Sequence, residues 1–171
     1  MVSLKPSRVP QGVSQWLTQW QDYYIRHRYL FLVLDGPSRM GKTTFVQTAL
    51  VEHPAEALIL NCSGVHSPAL QGNFDSTKHR LVLFDEAPVE MITQNKHIFQ
   101  PYLKPVTVDS SLTSRPTCAM WLHGTKMVVC SNSWREQVRA LSDMERNWIE
   151  QNSVYVYVDS PLWTEGGLGG S

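Results

Sequence analysis

Short apolar runs of strand length recur along this chain, separated by longer polar or helical stretches. Such runs are typical of strands buried on both faces, as in a parallel sheet with helices on either side. The pattern therefore predicts an α/β fold built on a parallel sheet flanked by helices. The predicted strands are Tyr29–Leu34, Ala57–Leu60, Leu81–Phe84, Lys126–Cys130 and Val154–Val158.

Other stretches carry helical or alternating patterns. A helix with Ser14 as its N-cap is predicted from an aromatic stripe, interpreted as core rather than as a stacking platform. Further helices are predicted over Thr43–Glu52 and Trp134–Asn147, and a β-hairpin over Val106–Asp109 and Thr117–Leu122. The stripe consists of Trp16, Leu17, Trp20, Tyr23, Tyr24 and His27.

Composition limits the classes of function. The 171 residues suit one main domain, expected over residues 29–163, after a lead-in and helix over 1–28 and before a flexible glycine-rich tail over 164–171. Because 15 Lys and Arg balance 15 Asp and Glu, a generally basic coat for nucleic acid is excluded, and contact would need a local patch. Without a membrane-length run or a signal-peptide pattern, a soluble intracellular protein is expected. The spacing of Cys62, Cys118 and Cys130 does not indicate zinc, so reduced thiols are expected.

The most specific motif lies between the first strand and the following helix, where G-x-x-x-x-G-K-[ST] is matched in full. Successive amides at such a turn form a cradle for phosphate oxygens. Lys42 would reach the β- and γ-phosphates of ATP, and the Thr43 hydroxyl would bind Mg²⁺. The alternative is a strand-to-helix turn with an incidental lysine. The predicted nucleotide-binding residues are Gly36, Pro37, Ser38, Arg39, Met40, Gly41, Lys42, Thr43 and Thr44.

Two later strands also end on polar residues. Asp85, after the third strand, is predicted to hold Mg²⁺, and Glu86 to orient or deprotonate an attacking water. A pair of solvated carboxylates is the alternative. The fourth strand ends in Ser131-Asn132, whose amide could contact a γ-phosphate. On spacing alone, Asn132 as a cap of the next helix is the stronger interpretation.

The order G-P-S-R-M-G-K-T, L-V-L-F-D-E and K-M-V-V-C-S-N resembles the superfamily 3 helicase domain of replication-initiator (Rep) proteins. These proteins come from small circular single-stranded DNA viruses and related plasmids, and the resemblance covers roughly residues 28–160. It implies an AAA+-like P-loop core, Asn132 as γ-phosphate sensor, and a hexameric ring moving 3′-to-5′ on single-stranded DNA. It also implies the host nucleus for a eukaryotic virus, and otherwise the cytoplasm. The chain has no H-x-H nicking motif, so nicking by that route is not expected.

The resemblance also implies an arginine that a neighbouring subunit inserts beside the γ-phosphate. Arg146 is the first candidate and Arg139 the second, although each could be an arginine on a solvated helix face. Family members project the hairpin loop into the ring pore, so Arg115, Lys104 and Lys126 are candidate DNA contacts.

Together these patterns predict a Mg²⁺-dependent ATPase acting as a DNA helicase motor. Its predicted catalytic residues are Lys42, Glu86, Asn132 and Arg146. A small P-loop kinase remains an alternative, as does a nucleotide-dependent module that binds DNA or RNA without unwinding it.

Overall fold

The computed structural model describes residues 6, 8–25, 29–101, 103–108 and 118–162, with backbone alone over 21–25. All five predicted strands are present, with ends shifted by a few residues, and a two-stranded hairpin precedes the sixth strand. In chain order the strands are β1 (Phe31–Asp35), β2 (Ala57–Asn61), β3 (Leu81–Asp85), β4 (Val106–Val108), β5 (Cys118–Met120), β6 (Lys126–Ser131) and β7 (Ser153–Tyr157).

The main sheet has the order β2-β3-β6-β1-β7, and every neighbouring pair is parallel. This confirms the predicted α/β class with a parallel sheet. The surrounding helices are α1 (Gln11–Ile25), α2 (Lys42–Ala49), α3 (Val89–Gln94), α4 (Lys96–Phe99), α5 (Trp134–Arg139) and α6 (Asp143–Asn152), with a 3-10 turn over Pro54–Glu56.

All three helix predictions were wrong in their bounds; the helix predicted over Thr43–Glu52 is α2, which begins at Lys42 and ends at Ala49. α1 begins at Gln11 rather than after Ser14, and the N–H groups of Val13 and Ser14 donate to the Pro10 carbonyl. The helix predicted over Trp134–Asn147 is two helices. The Ser142 hydroxyl accepts the N–H of Glu145, so it caps a new helix where a continuous one was expected.

The central strands are apolar throughout because they separate two hydrophobic cores. On β1, Phe31 and Val33 face one core, whereas Leu32 and Leu34 face the other. The first core is completed by residues of α3, α4, α6 and the hairpin, and the second by residues of α1 and α2. Burial on both faces explains why the polar alternation of an exposed sheet is missing.

The described part of the aromatic stripe of α1 belongs to the second core, as the core interpretation predicted. Trp16 and Trp20 are buried, and the Trp16 indole N–H donates to the Leu30 carbonyl at 2.8 Å. The predicted positions Tyr23, Tyr24 and His27 lie outside the side chains that the structure describes.

The predicted hairpin is confirmed as the antiparallel pair β4 and β5, in which Val106 lies opposite Met120. Its tip, including Arg115, lies outside the described residues, as does the predicted tail over 164–171. All three cysteines are free thiols, as predicted. Within the described ranges, the structure contains no helix with the length and apolar character to cross a bilayer.

Candidate nucleotide site

Three strand ends meet at one edge of the sheet and form a single cleft. β6 lies between β1 and β3, so Asp35 pairs with Ser131 and Asp85 pairs with Cys130. Because the strands are parallel, their carboxyl ends lie at the same edge, where ligands of such sheets bind. The cleft has a volume of about 260 Å³. Its walls include six of the predicted nucleotide-binding residues together with Asp85, Glu86 and Asn132; those six are Ser38, Arg39, Gly41, Lys42, Thr43 and Thr44.

The loop after β1 has a shape that requires glycine at its start. Gly36 has φ +149°, and a Cβ atom there would lie 2.3 Å from the carbonyl oxygen of Val158. The Gly36 N–H donates to the Ser131 carbonyl at 3.2 Å, which draws the loop against β6. Gly41, at φ 80°, turns the chain into α2. The two glycines of the motif are therefore explained by backbone geometry.

The N-terminus of α2 opens into this cleft. Lys42, Thr43 and Thr44 form its first turn, and all three line the cleft. The first amides of a helix lack carbonyl acceptors within the helix, and the helix dipole is positive at this end. A phosphate group would find both donors and a favourable potential here.

The ammonium group of Lys42 ties the loop to β6. Its Nζ donates to the carbonyl oxygens of Gly36 at 2.6 Å and Ser131 at 2.8 Å. Partial burial lowers the pKa of Lys42, while the nearby carboxylates of Asp35 and Asp85 act in the opposite direction. The result is a cation held between the loop and the strand that carries Asn132.

The acid pair at the end of β3 combines the half-buried carboxylate of Asp85 with the exposed carboxylate of Glu86. Burial raises the pKa of Asp85, and the negative charge of Glu86 raises it further. The backbone of the exposed Glu86 has φ 53°, a left-handed conformation that residues other than glycine rarely adopt.

Backbone strain is concentrated at this cleft. In the part of the chain that the structure describes, Glu86 and Arg39 (φ 67°) are the two non-glycine residues with positive φ, and both line the cleft. Such conformations cost about 1–3 kcal/mol each and cluster at functional sites. This observation favours a functional site over a solvated loop edge.

Asn132 is exposed at the end of β6 and lines the cleft. The alternative that it caps the next helix is wrong, because Ser133 holds the N-cap position of α5. Ser131 is buried, and its hydroxyl accepts the N–H of Ser133 at 3.1 Å, which fixes the turn behind Asn132.

Thr43 and Asp85 supply a hydroxyl and a carboxylate to the cleft. Among the described residues, no group of three or more His, Cys, Asp and Glu side chains could hold a metal ion on its own. Mg²⁺ commonly takes one or two protein oxygens and completes its shell with phosphate oxygens and water. The donor set therefore fits Mg²⁺ arriving with a nucleotide.

No protein-family model matches this chain, and no curated protein matches it. The chemistry of the cleft is therefore inferred from its donors, charges and backbone shape.

Sequence reasoning missed a buried network beneath the cleft. The Asp35 carboxylate, 4% exposed, accepts the Trp134 N–H at 3.2 Å and the Tyr155 hydroxyl at 2.6 Å. Burial raises the pKa of Tyr155, and its bond to Asp35 adds to the effect. Asp35 thus joins the start of the loop to α5 and β7. Trp134 and Tyr155 lie 99 and 120 positions after Asp35 in the sequence, so no local sequence pattern could reveal these hydrogen bonds.

The arginine candidates lie on α5 and α6, outside the cleft walls. The Arg146 guanidinium donates to Asp143 at 3.1 Å and to the carbonyls of Arg139 and Leu141, both at 3.0 Å. It thereby satisfies carbonyls at the end of α5, as a basic side chain near a helix C-terminus often does. Arg139 is exposed, and its role and that of Arg146 in a ring stay predictions.

The candidate DNA contacts are not brought together in the described residues. Lys126 begins β6, at the opposite edge of the sheet from the cleft, and its Nζ lies 4.3 Å from the ring centroid of Trp20. Burial lowers the pKa of Lys126, as expected for a partly desolvated ammonium. Lys104 is exposed near β4. DNA contact at these positions stays a prediction.

Proposed function

We propose that this protein binds Mg²⁺-ATP in the cleft and hydrolyses it. The observation that carries the proposal is the meeting of three motifs in one cleft: the loop with Lys42, the acid pair and Asn132. Each motif alone has an ordinary structural explanation. Their convergence at adjoining ends of β1, β3 and β6 supplies an anion cradle, oxygen donors for a metal and a carboxylate base.

In this mechanism the amides of the loop and the Lys42 ammonium bind the phosphates and stabilise charge that develops during transfer. Thr43 and Asp85 would hold Mg²⁺ through a hydroxyl and a carboxylate, and the ion would supply positive charge to the phosphate groups. Glu86 orients a water in line with the γ-phosphate and accepts its proton. Asn132 donates its amide N–H to a γ-phosphate oxygen without adding negative charge.

We further propose that this ATPase is an AAA+-like P-loop motor that works as a hexameric ring on single-stranded DNA. The resemblance to superfamily 3 helicases supports this assignment, and so does the position of β6 between the strands that carry the loop and the acid pair. The arginine acting in trans would be Arg146 or Arg139. The geometry favours Arg139, because the Arg146 guanidinium is already bonded within its own subunit.

Single-turnover hydrolysis of ATP, with and without single-stranded DNA, tests the proposal. Hydrolysis that DNA stimulates supports the motor, phosphate appearing on a metabolite would indicate a kinase, and binding without turnover would indicate a binding module. Lys42→Ala should abolish turnover, whereas Lys78→Ala, an exposed lysine at the other edge of the sheet, should leave it unchanged. Equal turnover in both variants would remove the phosphate-loop assignment.

The trans arginine is tested by mixing variants. Arg139→Ala and Arg146→Ala are each combined with Lys42→Ala, after size measurement shows that the subunits assemble together. A mixed interface pairs an intact loop with an intact arginine, so the variant that lacks the trans arginine should regain part of its activity. A chain that stays monomeric at all concentrations, yet hydrolyses ATP fully, would contradict the ring.

A further inference from the structure

Helix α5 is hydrogen-bonded to both loops that carry the proposed hydrolytic side chains. It begins two residues after Asn132, and one side chain from its first turns reaches across to the segment after Glu86. That side chain is the half-buried Gln137, which none of the sequence motifs includes.

The side-chain amide of Gln137 makes a hydrogen bond through its oxygen and another through its nitrogen. Its Oε1 accepts the Val89 N–H at 3.0 Å, and its Nε2 donates to the Ser133 hydroxyl at 2.8 Å. Because a backbone N–H can only donate, the amide oxygen must face Val89, which fixes the amide orientation. Val89 lies three residues after Glu86, and Ser133 directly follows Asn132. A single amide therefore connects the start of α3, three residues after Glu86, to the residue that follows Asn132.

We propose that Gln137 is a positioning residue that sets the distance between Glu86 and Asn132. The inference rests on the proposed hydrolysis, since it assigns Gln137 to the alignment of water and γ-phosphate. Glu86 sits in a strained backbone conformation at φ 53°, which persists only when surrounding contacts hold it. The Gln137 amide holds the Val89 N–H, three residues after Glu86, and its other end is bonded to Ser133, next to Asn132.

If Gln137 only capped helix α3, the expected effects of substitutions would differ. Val89 is the first residue of α3, whose cap residue Pro88 makes no side-chain cap bond, so Gln137 also satisfies an open amide of that helix. If capping were its whole role, only the bond to Val89 would matter. The bond to Ser133 distinguishes capping from positioning. Removing the Ser133 hydroxyl breaks this bond but leaves the bond from the Val89 N–H to Gln137 in place.

The experiment compares Ser133→Ala, Gln137→Met and the control Gln151→Met. Gln151 is exposed on α6, and its side chain bonds to Asn147 of the same helix. For each variant, kcat and KM for ATP hydrolysis, affinity for a fluorescent ATP analogue with Mg²⁺, and the unfolding midpoint in urea are measured.

We expect Ser133→Ala to lower kcat about tenfold and Gln137→Met to lower it by up to about a hundredfold, since small misplacements of reacting groups cost this much. Nucleotide affinity and KM should change less than twofold. Gln137→Met should also unfold at lower urea, because the Val89 amide loses its acceptor. Ser133→Ala should lower the unfolding midpoint less than Gln137→Met does, because the Val89 amide keeps its acceptor, and Gln151→Met should keep both the midpoint and the kcat of the parent protein.

Two results would overturn the proposal in distinguishable ways. Parent-like kcat in Ser133→Ala and Gln137→Met, in a protein that hydrolyses ATP and loses that activity in Glu86→Gln, removes the positioning role alone. Absence of any Glu86-dependent hydrolysis in the parent protein removes the proposed function, and the positioning role with it.

Discussion

Gly36→Ala is the substitution for which the structure gives the clearest magnitude. The added Cβ would lie 2.3 Å from the Val158 carbonyl oxygen, a backbone atom that cannot rotate away. Val158 is held in place because its N–H donates to the Asp35 carbonyl at 2.7 Å. The segment after β7 must therefore shift, and that hydrogen bond must weaken. The residue also keeps φ +149°, which is strained for alanine.

The expected cost follows from these contributions. Overpacking costs about 1–3 kcal/mol, loss of a hydrogen bond costs about 0.5–1.5 kcal/mol, and backbone strain adds to both. We expect the free energy of unfolding to fall by about 3–5 kcal/mol, which for a chain of this size lowers Tm by about 2–4 °C per kcal/mol. Gly64 provides the matched control, because it has φ +68° but no atom within 4 Å of the position that a Cβ would occupy. Gly64→Ala should cost only the strain, about 1–2 kcal/mol.

Urea unfolding of both variants, followed by tryptophan fluorescence, measures the difference. The close approach of Gly36 to Val158 predicts that Gly36→Ala is less stable than Gly64→Ala by about 1–4 kcal/mol. Equal destabilisation of the two variants would refute the steric explanation for the first glycine of the loop.

Three further outcomes follow from the buried and titratable groups. Tyr155→Phe should lower the free energy of unfolding by about 1–3 kcal/mol, because the buried Asp35 carboxylate loses a donor, whereas the exposed Tyr157→Phe should change it little; urea unfolding checks both, and similar values would contradict the network. The raised pKa of Asp85 means that the folded protein holds this proton more tightly than the unfolded chain, so stability falls as pH rises from the unfolded value of about 3.9 through the raised pKa. Asp85→Asn should therefore have a higher Tm than the parent at pH 7 without nucleotide, and the gap should close as the pH is lowered toward about 4; a variant less stable at pH 7 would contradict this. Burial raises the pKa of the Cys62 and Cys130 thiols to about 12, so only Cys118 should react rapidly with a disulfide reagent at pH 8, and three fast thiols would disagree with the fold.

The sheet could be predicted from the sequence because its signal is local. Each central strand is buried on both faces, so nearly all of its residues are apolar and they form an uninterrupted apolar run in the sequence. The loop between β1 and α2 could be predicted as a candidate phosphate site for a similar reason, since its glycines, lysine and threonine lie within eight consecutive residues. The polar strand ends then became candidates as soon as a parallel sheet was inferred, because parallel strands end at one edge.

The remaining features depend on contacts between distant positions. The break between α5 and α6 comes from one cap at Ser142, within a stretch whose polar pattern is typical of a continuous helix. The case for Arg146 rests on its place in the chain, which says nothing of the carbonyls that its guanidinium meets. The bonds of Asp35 to Tyr155 and of Gln137 to Val89 join side chains and amides that only the folded chain brings together.

The most direct test of the central claim is hydrolysis of Mg²⁺-ATP in water enriched in the heavy oxygen isotope. Mass spectrometry of the released phosphate reports whether water attacked the γ-phosphate. We predict that the parent protein releases inorganic phosphate with one heavy oxygen, which comes from the water. Glu86→Gln should still bind the nucleotide but release no phosphate. Labelled phosphate released by Glu86→Gln or by Lys42→Ala at the rate of the parent protein, or no release by the parent protein, would contradict the assignment of this cleft as an ATP-hydrolysing site.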